Sequence, residues 1–345
     1  MSTNDVEPAL LAMMDAVFTN YRATHPPTAV AVYDPQLWMQ LHELGLTRLT
    51  GPESSGGSGA GWPEAAALLT AAVRYAVRLP LAEHDLLACW LLEANGAPCH
   101  SARRTVCVLD HTGLADRVPW AASAERIVAI WPHGNEYLIA DISADSPALT
   151  ITEGTNLIGE PRDTVRINTS CIHGTPLSAE LLTQLELKGA LARAIQVCAA
   201  IDRLVELSTA HVTSRTQFGR KLAQFQAVQS LVADMAAEAA LARAATDAAL
   251  ASAIASHWCG PATDFLVAVA RSCAGHATSV AVRNAHQVHG AIGTTREHQL
   301  HEFTRAALAW RSEFGSVHYW DRRITSAALH AGPADLWKLI TGSSV

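Results

Sequence analysis

Two polar interruptions of otherwise helical sequence carry side chains that could bind an anionic ligand. The first, "RTQFGRKLAQFQAVQ", runs from Arg215 to Gln229, with the helix breaker Gly219 next to Phe218. A guanidinium offers a planar fork suited to a pyrophosphate, and Gln217 and Gln226 add amide donors. A plain helical corner, closed by the glycine and with the phenylalanine in the core, would use the same residues. Both interpretations stay open on this stretch alone.

The second interruption is "NAHQVHGAIGTT", where Gly290 and Gly293 break a helical pattern directly after Gln287 and His289. Glycine allows a ligand to approach the backbone closely and leaves N–H groups for phosphate or ribose oxygens. A simple loop between helices is the alternative. No G-x-G-x-x-G follows a strand, so a Rossmann dinucleotide site is not indicated.

Three segments of different character must position these stretches. Apolar residues recur at helical spacing up to about Asn95, short β-type runs follow up to about Val165, and helical spacing returns from about Ser178. We therefore predict an α+β fold, mostly α: an N-terminal helical domain, a small central β-domain and a C-terminal four-helix bundle. The predicted domains are residues 1–103, 104–176 and 177–345.

The central segment predicts five or six strands, separated by turn residues such as Gly134-Asn135. Its β-type runs are "TVCVL", "RIVAIW", "EYLIADI", "ALTIT" and "TVRIN". The last of the four bundle helices is expected over "HQLHEFTRAALAWRSEF".

Composition narrows the class of protein. The net charge of −7 gives no support to a nucleic-acid binder, although a local basic patch for a phosphorylated ligand is compatible with it. Seven scattered cysteines, without a C-x-x-C pair, signal neither a disulfide framework nor a zinc site. The N-terminal "MSTNDVEP" predicts no signal peptide, and the apolar runs are too short to span a bilayer. We expect a reduced, cytoplasmic protein.

Three stretches together resemble the acyl-CoA dehydrogenase family. "RTQFGRKLAQFQAVQSLVADM" looks like the family's flavin-binding signature, and "HQVHGAIGTTREHQLHEFTRAA" resembles its second signature, some 60 residues on. "LHELGLTRLTGPESSGGSG" is similar to the N-terminal helix and its Pro-Glu-x-x-Gly-Gly loop. The three follow in family order and cover the chain almost end to end, and the helix–sheet–bundle order agrees.

The resemblance implies that FAD lies between subunits. The first signature would serve the pyrophosphate and ribityl region through Arg215, Gln217, Phe218 and Gln226. The second would contact the adenosine half of a neighbour's cofactor through Gln287 and Gly290. These are further expectations of the resemblance.

The family reaction is α,β-dehydrogenation of an acyl-CoA thioester, with a glutamate as the base that removes the α-proton. Counted from Arg296, the usual base position falls on Phe314, and Glu313 lies one residue early. The alternative position falls near Gly189, with Glu186 three residues away. A slip of one residue rotates a helical side chain by roughly 100°, so Glu313 and Glu186 are candidates that stand out of register. An exposed surface carboxylate is the other interpretation of Glu313.

The hydroxyl motif that holds the flavin ring in the family is also missing from this sequence. The chain therefore resembles the shorter, degenerate subunits of actinobacterial two-subunit dehydrogenases, which act on CoA thioesters of steroid side chains as α2β2 assemblies with half the usual FAD. Three hypotheses follow: a subunit that completes the FAD site of a catalytic partner, a self-sufficient homo-oligomer using Glu313 or Glu186, or a structural subunit without flavin. Electron-transferring flavoprotein is the acceptor that the resemblance implies.

Other patterns are weaker. "REHQLHEF" puts His298 and His301 one turn apart, but a third ligand is lacking and H-E-x-x-H is absent, so no metal site is predicted. Asp110 and His111 could form a hydrolase triad with a serine, but the sequence contains no G-x-S-x-G elbow to carry that serine.

Overall fold

The computed structural model describes residues 6–26, 28 and 30–341. The described residues form two compact units, one ending at Gly189 and the other beginning at Ala190. Helices predominate and one small sheet region lies between them in the sequence, which confirms the predicted fold class. The division into three domains stays a prediction.

The first unit begins with helices whose ends follow from local sequence. They are α1 (Pro8–Thr24), α2 (Pro35–Glu43), α3 (Trp62–Arg74), a π-helix (Ala82–Cys89) and α4 (Trp90–Ala94). Asp34 caps α2, because its Oδ1 atom accepts hydrogen bonds from the backbone N–H groups of Gln36 and Leu37. The predicted helix stop at Asn95-Gly96 is confirmed, since Gly96 has φ +76° directly after α4.

The π-helix is a feature that periodicity did not predict. It places three consecutive polar residues, Glu83, His84 and Asp85, in the interior. The Thr50 backbone N–H and hydroxyl both donate to Asp85 Oδ2, and the Arg104 N–H donates to His84 Nδ1. These bonds satisfy polar groups that would otherwise be costly to bury.

Seven strands form the β-region of the first unit. They are β1 (Arg104–Val108), β2 (Leu114–Pro119), β3 (Arg126–His133), β4 (Glu136–Ser143), β5 (Leu149–Thr152), β6 (Arg162–Ile167) and β7 (Thr175–Leu177). One sheet has the order β1-β3-β4-β7 and the other β2-β6-β5. The five predicted runs are confirmed, and Gly134-Asn135 forms the two-residue turn between β3 and β4.

The sequence missed β2 and β7 for separate reasons. Strand β2 has a register shift between Ala115 and Val118, with Arg117 at φ +58°, so its apolar residues do not alternate. Strand β7 has only three residues and contains Pro176. Short and irregular strands give too few side chains for a period to be recognised.

The second unit is mainly helical, and its first helix, α5, begins before the boundary between the units. They are α5 (Ala179–Ser214), α6 (Gln226–Ala255), α7 (Pro261–His289), α8 (Leu300–Trp310) and α9 (Val317–Thr341). Helix α6 packs along α7, and α7 packs along α9. The predicted fourth helix is therefore α8, which ends four residues early, and α9 was missed. Phe314 at φ +52° and Gly315 at φ +102° separate them.

Helix α7 contains a long apolar segment. With the turn that follows it, Pro261–Thr294 is long and apolar enough to cross a membrane, but half of an 18-residue apolar segment within it is buried inside the protein. A core helix of a bundle has the same length and composition.

Candidate functional site

The first polar interruption folds as a β-hairpin inserted between two long helices. Helix α5 ends at Ser214, strands β8 (Thr216–Gln217) and β9 (Arg220–Lys221) pair, and α6 begins at Gln226. Phe218 and Gly219 form the two-residue turn, with φ values of +52° and +76°. Positive φ at both positions is typical of the type I′ turn, which suits a tight hairpin and favours glycine.

Phe218 stands at the tip of this hairpin with its side chain 90% exposed. The alternative in which Phe218 fills the core is therefore wrong. Beneath it, the Arg220 guanidinium lies 3.9 Å from the centre of the Phe225 ring. The Phe218 and Phe225 rings stand edge to face, with centroids 6.2 Å apart. These contacts pack the hairpin against Phe225, the residue before α6, while the Phe218 side chain at its tip stays in solvent.

The hairpin concentrates positive charge at the start of α6. Lys221 Nζ donates to the last carbonyl of α5, that of Ser214, at 2.6 Å, a contact that sequence reasoning missed. No aspartate or glutamate occurs between Leu207 and Ala233. The residue before α6, Phe225, gives no side-chain cap, so the first N–H groups of that helix remain for another acceptor. Such an end favours an anion.

The second interruption forms the end of α7. Gly290 follows the last helical residue with φ +60° and ψ −141°, a backbone conformation open to glycine and strained for other residues. A Cβ atom at Gly290 would meet nothing within 4 Å, so the glycine is needed for its backbone conformation and leaves open space beside it. Gln287, one turn earlier, is exposed.

Stacked imidazoles join the two corners. The ring of His211, four residues before Arg215, stacks on the ring of His289 with centroids 4.5 Å apart. The His298 ring lies 4.7 Å from that of His289. The structure therefore brings together the end of α5 and the end of α7, where two histidines 78 residues apart in sequence meet within the second unit.

His289 is the buried centre of this histidine cluster (His211, His289 and His298). Its Nδ1 atom lies 2.8 Å from the Ala285 carbonyl, which makes Nδ1 the protonated nitrogen. Nε2 is then a buried acceptor without a partner among the residues that the structure describes. Burial and the neighbouring histidines lower the pKa of His289 to about 4. The cluster is therefore neutral at its centre at pH 7.

Four of the predicted cofactor side chains share one property. Each is exposed and makes no side-chain hydrogen bond or ion pair within the described part of the chain: Arg215, Gln217, Gln226 and Gln287. Arginine and glutamine offer several donors each; those of Arg215, Gln217 and Gln226 face solvent near the acid-free start of α6. Those of Gln287 face solvent near the end of α7. The donor set suits the diphosphate and adenosine of FAD.

Glu313, the first candidate base, lies in a buried ion pair. Its side chain is 9% exposed, and Oε2 accepts a hydrogen bond of 2.7 Å from Nε of the buried Arg193. The surface alternative for Glu313 is therefore wrong. Phe314, at the position that the resemblance assigns to the base, has no group that can accept a proton.

The buried Arg271 holds the loop around Glu313 by hydrogen bonds to its backbone. Its Nη2 atom donates to the backbone carbonyls of Arg311 at 2.9 Å and Glu313 at 2.7 Å. Burial, together with the charge of Arg193, lowers the pKa of Arg271 to about 10, so it stays charged at pH 7. The loop that would have to shift by one residue for Glu313 to act as base is held by these bonds.

The second candidate base, Glu186, lies in the first unit on α5. It is half-buried and precedes Lys188, whose ammonium lies 4.3 Å from the Trp90 ring centre and 5.2 Å from that of Trp62. Burial lowers the pKa of Lys188 to about 7. The structure therefore gives the two candidate bases different surroundings, one ion-paired and one on a half-exposed helix face.

Among the described residues, no group of three or more histidine, cysteine, aspartate or glutamate side chains could hold a metal ion. His301 Nε2 instead pairs with Glu302 Oε1 at 3.0 Å, and His298 belongs to the histidine cluster.

Comparison with known proteins agrees with this geometry. Residues 183–328, which include both corners, match the profile of the acyl-CoA dehydrogenase C-terminal domain. Residues 183–328 therefore carry an acyl-CoA dehydrogenase C-terminal domain. The chain is 27% identical over 283 residues to the acyl-CoA dehydrogenase IpdE2 of Mycolicibacterium smegmatis, an alignment that covers 80% of this chain and 82% of the relative.

Solved structures share the fold of this chain. A chain of the ChsE4–ChsE5 complex from Mycobacterium tuberculosis matches with a TM-score of 0.82 and 21% identity, covering 96% of this chain and 100% of that one. A variant of the Tcur3481–Tcur3483 steroid ACAD matches with a TM-score of 0.80 and 20% identity, covering 94% and 97%.

Proposed function

We propose that this chain is an acyl-CoA dehydrogenase subunit that binds FAD at two corners, the Arg215–Gln226 hairpin region and the end of α7 at Gln287–Gly290. It would thereby complete the flavin site of a second, catalytic dehydrogenase subunit. One observation carries the proposal: at the corners, four exposed polar side chains make no hydrogen bond or ion pair with any described residue, and the aromatic tip of the hairpin is exposed beside them. Solvated donors of this kind stay available to a ligand, and they lose rotamer freedom only when it binds. A cofactor presented by another subunit would use all of them.

The roles of the chain's own residues follow from their chemistry. Arg215 and the start of α6 would bind the diphosphate, with Gln217 and Gln226 beside it. Gln287 and the open backbone at Gly290 would receive the adenosine end, and Phe218 would pack against the cofactor or the partner subunit. FAD, when bound, supplies the acceptor for the hydride that leaves the β-carbon of an acyl-CoA thioester.

This chain has no glutamate at the position expected for the base that removes the α-proton. Position 314 is phenylalanine, and the Glu313 carboxylate is engaged with Arg193. An ion-paired carboxylate is a poorer proton acceptor than a free one, because its charged form is already stabilised. We therefore assign the removal of the α-proton to the partner subunit.

The solved structures of the same fold suggest a partner and a substrate class to test. One solved structure of the same fold is the complex of ChsE4 with ChsE5, and another is a variant of a steroid ACAD, Tcur3481–Tcur3483. We accordingly propose a hetero-oligomer in the cytoplasm that acts on an acyl-CoA, with the CoA thioester of a steroid side chain as the first substrate to test. Electron-transferring flavoprotein is the proposed acceptor.

Native mass spectrometry of the chain, alone and co-expressed with dehydrogenase subunits encoded beside it, tests the proposal. We expect a colourless chain alone, and a yellow complex with half as many FAD molecules as chains. A yellow, active homo-oligomer would contradict the partner role and favour the self-sufficient enzyme. Absence of flavin from every complex would leave only the structural subunit.

If the chain is active alone, Glu313→Gln and Glu186→Gln distinguish the two candidate bases. The base is the one whose replacement abolishes turnover while flavin content, read from visible absorbance, stays unchanged. Loss of flavin together with activity would instead indicate damage to the fold.

A further inference from the structure

A second concentration of unpaired donors lies in the first unit, on the sheet formed by β2, β6 and β5. A cavity of about 450 Å³ opens there. Seven of the residues that line it carry polar side chains, and five of these form no hydrogen bond through the side chain with any described residue: His111, Thr150, Arg166, Thr169 and Ser170. None of the lining residues is an aspartate or a glutamate.

Strand register and a short turn bring these groups together. Arg166 on β6 lies directly opposite Thr150 on β5, so both side chains project from the same face of the sheet. The chain then turns through Thr169 and Ser170, and the Asn168 side chain caps this turn by accepting a hydrogen bond from the Ser170 N–H. His111 reaches the cavity from the turn that follows β1.

Asn168 and Thr112 are bonded within the described part of the fold, whereas the other five polar lining side chains are not. The guanidinium of Arg166, the imidazole of His111 and the hydroxyls of Thr150, Thr169 and Ser170 form no hydrogen bond or ion pair with any described residue.

The nearest acid along the chain is Asp110, and its Oδ1 atom is already bonded to the N–H groups of Thr112 and Leu114 and to the Thr112 hydroxyl. These bonds and, to a lesser degree, the adjacent His111 hold the pKa of Asp110 below its usual value, so its carboxylate is engaged at the edge of the cavity. Arg166 is the one arginine or lysine among the described residues that line the cavity, and it provides the charge for an anion there.

We propose that this cavity binds a phosphomonoester, with the phosphoryl group on Arg166 and the surrounding hydroxyls. Guanidinium and hydroxyl donors match the oxygens of a phosphoryl group. The cavity volume lies within the range of roughly 300–1,000 Å³ that is typical of small-molecule sites, well above what a bare phosphate fills. The remaining space would take the organic part of the ester.

Isothermal titration calorimetry on the full chain, co-purified with any partner, tests this site. Ribose 5-phosphate is the probe because it lacks the adenine that the flavin corners are proposed to recognise. We expect saturable binding that weakens as salt rises, weaker binding of inorganic phosphate, and none of ribose. Arg166→Gln should weaken binding by about tenfold or more.

Three variants test whether the phosphomonoester binds in this cavity and not elsewhere on the chain. Arg117→Gln removes an exposed arginine from β2, outside the cavity, and should leave binding unchanged. Arg215→Gln changes the flavin corner and should also leave it unchanged. Thr150→Val should weaken binding by about threefold, and it keeps the test open if Arg166→Gln fails to fold.

Unsaturable binding, equal binding of ribose, or loss of binding in Arg215→Gln and not in Arg166→Gln would overturn the proposal. Flavin content, measured on the same samples, tests the proposed function independently.

Discussion

The rings of His211 and His289 stack 4.5 Å apart and so fasten the end of α5 to the end of α7. Arg215 lies one turn beyond the first ring, and Gly290 follows the second. The two corners are therefore held at a fixed separation by aromatic packing in which neither ring needs a charge. If the corners grip two ends of one cofactor, this stack should be coupled to cofactor affinity.

A double-mutant cycle tests that coupling. His211→Ala and His289→Ala should each weaken FAD binding, and the double variant should lose less than the sum, by about 1 kcal/mol, because one contact is removed in all three. His289→Phe keeps the packing and should stay close to the parent protein. The measurement is fluorescence titration of FAD into the deflavinated complex. Additive losses would show that the stack does not position the corners.

Arg215→Gln should weaken FAD binding by about 2 kcal/mol, roughly thirtyfold, because a charge-assisted bond to the diphosphate is lost. Thermal stability of the chain without FAD should not change, since the Arg215 side chain is exposed and unpaired among the described residues. Arg322→Gln, an exposed arginine on α9, is the matched control. Equal flavin retention in the two variants would remove Arg215 from the site.

Phe218→Ala should leave the free energy of unfolding of the chain within about 0.5 kcal/mol of the parent, because the side chain is 90% exposed. The same change should weaken subunit association or flavin retention by about 1–2 kcal/mol, since an exposed aromatic tip gains its contacts on assembly. Leu241→Ala, 56% exposed on α6, removes a hydrophobic side chain away from the hairpin. Sedimentation velocity of the complex compares the two, and identical behaviour would argue against contact at the tip.

Glu313→Gln should destabilise the second unit by about 3 kcal/mol in urea unfolding, because Arg193 would remain buried without its carboxylate. Replacing both partners, with Arg193→Met and Glu313→Leu, should recover most of that loss. A base would behave differently, since its replacement abolishes turnover and leaves stability nearly unchanged. A stable but inactive Glu313→Gln protein would therefore restore Glu313 as the catalytic residue.

His84 and Asp85, neighbours in the π-helix, should give opposite dependences of stability on pH. Burial and the Arg48 charge lower the pKa of His84 to about 3, so its contribution to stability is lost as pH falls from about 6.5. Burial raises the pKa of Asp85 to about 6, so folding favours the protonated acid and stability is gained as pH falls below 6.

Between pH 6 and pH 4 these two effects nearly cancel. Asp85→Asn should therefore lose about 3 kcal/mol of unfolding free energy over that interval, and His84→Asn should gain a similar amount. Urea unfolding at the two pH values measures both. Parallel curves for the two variants would show that the π-helix is not the source of the dependence.

Much of the fold was accessible from the sequence because it rests on repeated local patterns. The five regular strands, the Gly134-Asn135 hairpin and the long helices each provide several side chains in period. Strand β2, strand β7 and the break between α8 and α9 were missed. Each depends on one or two residues in unusual backbone conformations or on a very short segment, and these leave no period.

The sequence by itself determined the residue types of the two corners, their order and the absence of a glutamate at position 314. Only the tertiary structure decided that His211 and His289 stack, that Phe218 stands in solvent, and that Arg193 engages Glu313. Propensity and periodicity describe neighbours along the chain, whereas these three relationships join or expose residues through packing between helices far apart in sequence. Long-range contacts of that kind are set by the whole fold, so a local pattern cannot contain them.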